Sequence, residues 1–183
     1  MADSTLGRWL RAMNPIARPR NRAEAERSAR SFVVAVVIAL LASIPSTIWM
    51  FQSDWMATIM EQQLTQRNLS GADMEVQRAL MGAIWPWAIA FGTGITVLIY
   101  GVMAFIQWRY MTRALPIIAL AYSTYTLVAG VGVRLTGAVP EGPDFPLWIT
   151  ALGWSTFVVQ TVINIAALQG AIMLHRLRLE ART

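Results

Sequence analysis

Long uncharged stretches separated by short charged segments are the main pattern of this sequence. The longest runs from Ala79 to Trp108 and contains no Asp, Glu, Lys, Arg or His. About 20 helical residues cross a hydrocarbon core roughly 30 Å thick, so this stretch is long enough to span a membrane. Three other stretches follow the same pattern, and the four predicted spans are about residues 31–51, 82–107, 114–133 and 147–174. Because backbone amides in lipid must hydrogen-bond internally, the sequence predicts an all-α integral membrane bundle of four transmembrane helices.

The segment between the first two spans, residues 53–78, is more polar. Its apolar side chains follow helical spacing from Trp55 to Leu64, and the pattern breaks at residues 68–71. Ser70 and Asp73 then fit a capping box at the start of a second helix. The sequence therefore predicts an extracytoplasmic amphipathic helical hairpin, which either lies against the membrane surface or serves as a docking surface for an external partner.

Residues 1–30 form a predicted basic cytoplasmic arm with seven arginines. Near its start, Leu6 and Leu10 share a helical face with Trp9, whereas Arg8 and Arg11 lie on other faces. This pattern fits a short interfacial helix whose Arg8, Trp9 and Arg11 contact anionic headgroups, or else a solvated tail. We expect a new helix to start near Asn21 and to enter the membrane as a retained span rather than a cleaved signal peptide.

The composition restricts the chemistry that the chain can perform. Hydrophobic residues make up 56% of the chain and charged residues only 14%, compared with about a quarter in soluble domains. The chain has no Cys, no Lys and one His, His175, which excludes thiolate catalysis, Schiff bases and bis-histidine haem ligation within it. We therefore expect no cofactor, no metal site and no enzymatic activity. The arginines flank apolar spans, which argues against nucleic-acid binding.

The distribution of arginines predicts the orientation in the membrane. With a cytoplasmic N-terminus, twelve arginines lie on the cytoplasmic side and three, Arg67, Arg78 and Arg134, on the other. This positive-inside bias predicts cytoplasmic N- and C-termini, with residues 176–183 as a basic cytoplasmic tail. The use of Arg without Lys is typical of a GC-rich bacterial genome, so we expect a bacterial inner membrane protein.

Polar side chains inside the predicted spans are the candidate functional residues. Gln160 and Asn164 lie one turn apart on the fourth span, and Tyr122 and Ser123 lie in the middle of the third. An amide in hydrocarbon without a partner is costly, so these groups should face protein or water. They act either as hydrogen bonds between helices or as contacts to a substrate or partner.

Other residues are predicted to anchor the spans or to pack them together. Four tryptophans at the span margins are candidate interfacial anchors: Trp85, Trp87, Trp108 and Trp148. Small residues four apart allow helix backbones to approach closely, and three such pairs occur: Ala90 and Gly94, Ala166 and Gly170, and Ala167 and Ala171. The last apolar stretch forms one span unless it is broken near Gly153.

The order of parts over about residues 31–146 resembles the bacterial branch of the Yip1-domain membrane proteins. The resemblance is carried by an uncharged first helix, by the segment Trp55, Ile59, Glu61, Gln62, Gln63, by the polar helix of residues 74–79, and by Ala-Leu-Pro-Ile-Ile-Ala-Leu-Ala-Tyr-Ser at residues 114–123. It implies a non-enzymatic membrane protein, of a family linked in eukaryotes to Rab GTPases and vesicle traffic. The family usually has five spans, one more than is predicted for this chain.

Three functions fit these patterns. The first is a Yip1-like scaffold or adaptor, and the second is an accessory subunit of a larger membrane complex. Both predict contacts with lipid and with a protein partner or a second copy of the chain. The third is an oligomeric small-solute channel or transporter, which predicts that the polar side chains of the third and fourth spans converge on one cavity.

Overall fold

The computed structural model describes residues 4–53, 55–66, 71–135 and 145–181. They form six helices: α1 (Thr5–Ala12), α2 (Arg22–Gln52), α3 (Trp55–Gln66), α4 (Gly71–Tyr110), α5 (Ala114–Leu135) and α6 (Leu147–Glu180). Within these ranges there is no strand, and four helices, α2, α4, α5 and α6, are long and apolar enough to cross a membrane. The predicted all-α multi-pass membrane architecture is therefore confirmed.

The starts of the first two helices follow from their capping residues. The Ser4 side chain accepts a hydrogen bond from the Gly7 backbone N–H at 3.1 Å, and Asn21 accepts one from the Glu24 N–H at 2.9 Å. These caps satisfy donors that have no partner within the helix. The predicted start near Asn21 is confirmed, so α2 begins inside the predicted arm of residues 1–30.

All four apolar helices are longer than their predicted spans, as α4 and α6 illustrate. Helix α4 has 40 residues and continues through Pro86, which gives it a length of about 60 Å. The second span was predicted to end at about residue 107, whereas α4 continues to Tyr110. Helix α6 has 34 residues and continues through Gly153, so the last apolar stretch is one helix. Ser70, the predicted cap of the second hairpin helix, and residues 136–144, between the third and fourth predicted spans, lie outside the described residues.

The closest contact in the structure joins α2 and α6, which run antiparallel. We call it the α2–α6 seam; its buried residues are Ala25, Ser28, Ala29, Ala166, Ala167, Gly170 and Ala171. A Cβ atom added at Gly170 would lie 2.6 Å from the Ala29 nitrogen and 2.7 Å from the Ala25 oxygen. The two backbones approach so closely only because position 170 has no side chain.

The two ends of the bundle differ in chemistry. At one end α2 and α5 start and α4 and α6 finish; this arginine-rich end carries Arg27, Arg30, Arg109, Arg113, Arg176 and Arg178. At the other end Trp49, Trp55 and Phe145 pack together, with ring centroids 5.1 to 6.4 Å apart. These rings join the end of α2 to the starts of α3 and α6.

Helices α4 and α5 are packed much more loosely than the seam. The most apolar part of α4 has no buried residue and that of α5 only 6%, against 39% for α6. The last turns of α4 lie against α2, where Met103 and Ala104 contact a cluster that includes Phe32. The first half of α4 contacts α3, where the Arg78 guanidinium lies 3.4 Å from a Glu61 carboxylate oxygen.

Candidate functional site

A cavity of about 470 Å³ that is open to the surface lies between α2, α4, α5 and α6. Most of its wall is apolar and includes Phe32, Val36 and Phe157. Seven side chains with polar groups complete the wall: Thr96, Tyr100, Tyr122, Ser123, Thr126, Gln160 and Asn164. An apolar chamber of a few hundred cubic ångströms with a few polar groups has the usual character of a small-molecule site.

All four polar residues predicted from the third and fourth spans line this one cavity. Gln160 and Asn164 enter it from α6, and Tyr122 and Ser123 enter it from α5. Tyr122 is 62% exposed and lies at the mouth, whereas Asn164 is 5% exposed and lies at the inner wall. The sequence analysis placed these residues within the predicted spans, and the structure adds that they line the same cavity.

The Asn164 amide oxygen is buried and has no hydrogen-bond partner among the described residues. A buried acceptor without a donor typically costs about 1–3 kcal/mol. Native proteins satisfy most buried polar atoms, so an exception calls for a physical explanation. Asn164 lines the cavity, but this oxygen itself is not accessible from it, so a donor bound in the cavity would reach the oxygen only after the amide rotates.

Two polar contacts between helices were missed by the sequence analysis. Gln107 is fully buried and donates from Nε2 to the Ala29 carbonyl oxygen at 3.0 Å, which ties α4 to α2. Its Oε1 accepts from the Thr112 hydroxyl at 3.3 Å. The Ser28 hydroxyl lies 2.7 Å from the Ala166 carbonyl oxygen on α6. Gln107 was overlooked because it stands next to Trp108 and Arg109, where a span was expected to end.

Two of the predicted tryptophan anchors are separated by about the thickness of the hydrocarbon core of a membrane. Trp87 and Trp108 stand on the same continuous helix, 21 residues or about 32 Å apart, close to the thickness of a hydrocarbon core. Trp108 is half-exposed, and the Arg30 guanidinium lies 5.1 Å from its ring centroid. Trp148 is also half-exposed at the start of α6, whereas Trp85 is partly covered.

The residues predicted to contact headgroups lie on α1 at the arginine-rich end. Arg8 and Arg11 are exposed and stand three residues apart on one face. Leu6 and Leu10, on the opposite face, are 69% and 57% exposed, and Trp9 is partly covered. The predicted segregation of basic and apolar side chains is therefore present on a helix with an exposed apolar face.

Among the described residues, no group of three His, Asp or Glu side chains is arranged to hold a metal ion. The chain matches no protein-family model, no curated protein and no solved structure. The resemblance to Yip1-domain proteins therefore stays a prediction, and the geometry of the cavity is the main source of functional inference.

Proposed function

We propose that this chain is a non-enzymatic multi-pass membrane protein that binds a small amphiphilic molecule in its intramembrane cavity, as a transporter or carrier of that molecule. The convergence of polar side chains from α5 and α6 on one mostly apolar cavity carries the proposal, and the unpartnered oxygen of Asn164 supports it. Gln160, Tyr122 and Ser123 line the cavity with Asn164, and these four residues are the ones that the sequence analysis expected to converge in a channel or transporter.

The lining indicates the chemical class of the ligand. Asn164 Oδ1 is an acceptor and needs a donor, such as a hydroxyl or amine group. Gln160 and Ser123 supply further donors and acceptors at the same wall. The remaining wall, around Phe32 and Phe157, suits an apolar body. A molecule with a hydroxylated head and a short hydrocarbon chain matches both parts.

The proposed orientation follows the arginine distribution. We place the arginine-rich end on the cytoplasmic side of a bacterial inner membrane, so that both termini are cytoplasmic. Helix α3 and the first two turns of α4, up to Arg78, then form the extracytoplasmic hairpin, tied by the Arg78 and Glu61 contact. The cavity would lie within the hydrocarbon region, with lateral access for molecules dissolved in the bilayer.

The test is the substitution Asn164→Leu, with Gln169→Leu as the matched control. Both changes replace an amide by Leu on α6, but Gln169 does not line the cavity. The purified protein is reconstituted in vesicles with a diazirine-labelled monoacylglycerol as the probe. Losing one hydrogen bond of about 1 kcal/mol lowers cross-linking to the cavity residues roughly fivefold in the Asn164 variant. The Gln169 variant keeps the wild-type level.

Stability in the absence of the probe separates ligand binding from helix packing. If the Asn164 amide has no hydrogen-bond partner until a ligand binds, replacing it by Leu raises the free energy of unfolding of the ligand-free protein by about 1 kcal/mol. If it acts instead as a hydrogen bond between helices, the same change lowers that free energy. A destabilised variant, or equal cross-linking in all three proteins, would overturn the proposal.

A second candidate function is the Yip1-like scaffold or adaptor, or an accessory subunit of a larger complex. The exposed apolar face of α4 favours it, because Trp87, Phe91 and Phe105 are 67 to 77% exposed along one side of the helix. Native mass spectrometry of the protein extracted from its own membrane distinguishes the two functions. A larger subunit in fixed ratio supports the scaffold function, whereas a bound small molecule on a single chain or homo-oligomer supports the carrier function.

A further inference from the structure

A second, smaller cavity lies at the arginine-rich end, outside the predicted spans. It measures about 220 Å³ and is lined by α1, by Ala17, Pro19 and Asn21, and by the first turns of α2. Three arginines from two helices line it: Arg8 and Arg11 from α1, and Arg27 from α2. We propose that these arginines form a binding site for the phosphate group of an anionic phospholipid.

The charge balance of this arginine pocket favours an anion. Glu24 is the one carboxylate among its lining residues, and it accepts a hydrogen bond from the Arg20 backbone N–H at 2.9 Å. The lining therefore carries a surplus of two positive charges. Among the described residues, none of the three arginines lies within 4.0 Å of a carboxylate oxygen. The Arg8 guanidinium donates to the Thr5 hydroxyl at 3.5 Å, which is neutral and leaves its charge uncompensated. Guanidinium groups without carboxylate partners repel one another, and a phosphate with several acceptor oxygens relieves that repulsion.

The pocket is built into the bundle rather than carried on a loose tail. The Ser28 hydroxyl lies 3.1 Å from the Ala12 carbonyl oxygen at the end of α1 and 2.7 Å from the Ala166 carbonyl oxygen of α6. Helix α1 is therefore held against the α2–α6 seam. This contact fixes the side of the pocket that carries Arg8 and Arg11 relative to Arg27.

The position of the pocket indicates that the phosphate belongs to a lipid. Arg27 precedes Ser31, where the first predicted span begins, by four residues or about 6 Å along α2. Such a side chain lies at the depth of the headgroups when the span is in the membrane. Leu6, Leu10 and Ile16, on the same segment, are 57 to 89% exposed and would enter the acyl layer. A soluble ligand would leave these apolar side chains in water.

The test measures lipid binding to the full chain in mild detergent by native mass spectrometry. The probes are dioleoyl phosphatidylglycerol, which is anionic, and dioleoyl phosphatidylcholine, which is zwitterionic. We expect the wild-type protein to bind its first phosphatidylglycerol more tightly than phosphatidylcholine. The double variant Arg8→Gln with Arg11→Gln, and separately Arg27→Gln, should each weaken phosphatidylglycerol binding roughly tenfold, as expected for lost charge-assisted hydrogen bonds.

The matched control removes the same charge from the same segment outside the pocket. Arg18 and Arg20 are exposed and do not line it, so Arg18→Gln with Arg20→Gln should change the affinity less than about twofold. Equal weakening in both double variants would show diffuse attraction and overturn the site. A wild-type protein with no preference for phosphatidylglycerol would overturn it as well.

Two further measurements complete the design. Competition with millimolar inorganic phosphate distinguishes the source of the anion, and displacement of the lipid by phosphate alone would overturn the assignment to a lipid. Because Arg8 and Arg11 are exposed, their double variant should keep the wild-type thermal midpoint. If the Arg27→Gln variant does not fold, lipid binding by this double variant decides the test. Asn164→Leu, which alters the other cavity, should leave phosphatidylglycerol binding unchanged, so failure of one proposal does not decide the other.

Discussion

The α2–α6 seam and the α4–α5 side of the bundle are made from similar residues but are packed differently. Along the seam, Ala29 and Gly170 bring two backbones almost into contact. On the other side, α4 contains Gly92, Gly94 and Gly101, none of which has a neighbouring atom within 4 Å of an added Cβ. The first arrangement holds the bundle together, and the second leaves room for the cavity.

The difference shows what drives helix pairing in a membrane. Lipid tails are as apolar as the side chains, so burial alone brings little gain, and close association depends on small residues and on hydrogen bonds between helices. The seam has small residues on both helices and the Ser28 contact to Ala166. Ala90 and Gly94 have the same spacing as Ala166 and Gly170, but an added Cβ at Gly94 meets no atom of the described residues within 4 Å.

The largest effect should come from Gly170→Val. Its Cβ would lie 2.6 Å from the Ala29 nitrogen and 2.7 Å from the Ala25 oxygen, both of which are backbone atoms that cannot move aside. We expect a loss of more than about 3 kcal/mol in the free energy of unfolding, and failure to purify as a monodisperse protein in detergent. The measurement is the thermal midpoint together with the gel-filtration profile.

Gly94→Val is the matched control for this change, since an added Cβ meets no atom within 4 Å there. It should keep the wild-type profile, with a stability change under about 1 kcal/mol. Comparable damage at both positions would contradict the distinction between the seam and the α4–α5 side. It would indicate that α4 is covered by another chain in the assembled protein.

Gln107→Leu should have an intermediate effect. The change removes the hydrogen bond to the Ala29 carbonyl at 3.0 Å and leaves the Thr112 hydroxyl without its acceptor. We expect the free energy of unfolding to fall by about 1–2 kcal/mol, measured by denaturant titration in detergent. Gln160→Leu, on the cavity wall, should change it much less. Equal losses at the two positions would show that the cavity wall also holds the bundle together.

The fold was largely predictable from the sequence because backbone polar groups inside a membrane must hydrogen-bond within their own segment, which leaves few structures other than a helix. An uncharged stretch such as Ala79–Trp108 has few alternatives to a spanning helix, and Asn21 marked the start of α2 through its capping chemistry. The packing was less predictable. Apolar residues face both lipid and protein, so hydrophobic periodicity does not reveal which side of a span faces its neighbours.

The sequence predicted which polar residues belong to the candidate site, but not how they are arranged in space. Gln160 and Asn164 stood out because polar groups are costly in lipid, and their spacing placed both on one face of α6. Their meeting with Tyr122 and Ser123 depends on how α5 is rotated against α6, which neither helix encodes alone. The cavity exists because α4 and α5 do not pack tightly, a property of the assembled bundle.

The smallest effect should come from Ser28→Ala, which tests how much the hydrogen bond contributes to the seam beyond the small residues. The Ser28 hydroxyl is buried and lies 2.7 Å from the Ala166 carbonyl oxygen. Hydrogen bonds between transmembrane helices contribute about 0.6 kcal/mol on average, so we expect a loss of that size in the free energy of unfolding. Ser43→Ala is the control, because that exposed hydroxyl bonds only the Leu40 carbonyl of its own helix, at 2.8 Å, and its loss should be close to zero. A loss above about 2 kcal/mol for Ser28→Ala would mean that the hydroxyl rather than close backbone packing holds the seam, and that Gly170 alone does not account for its stability.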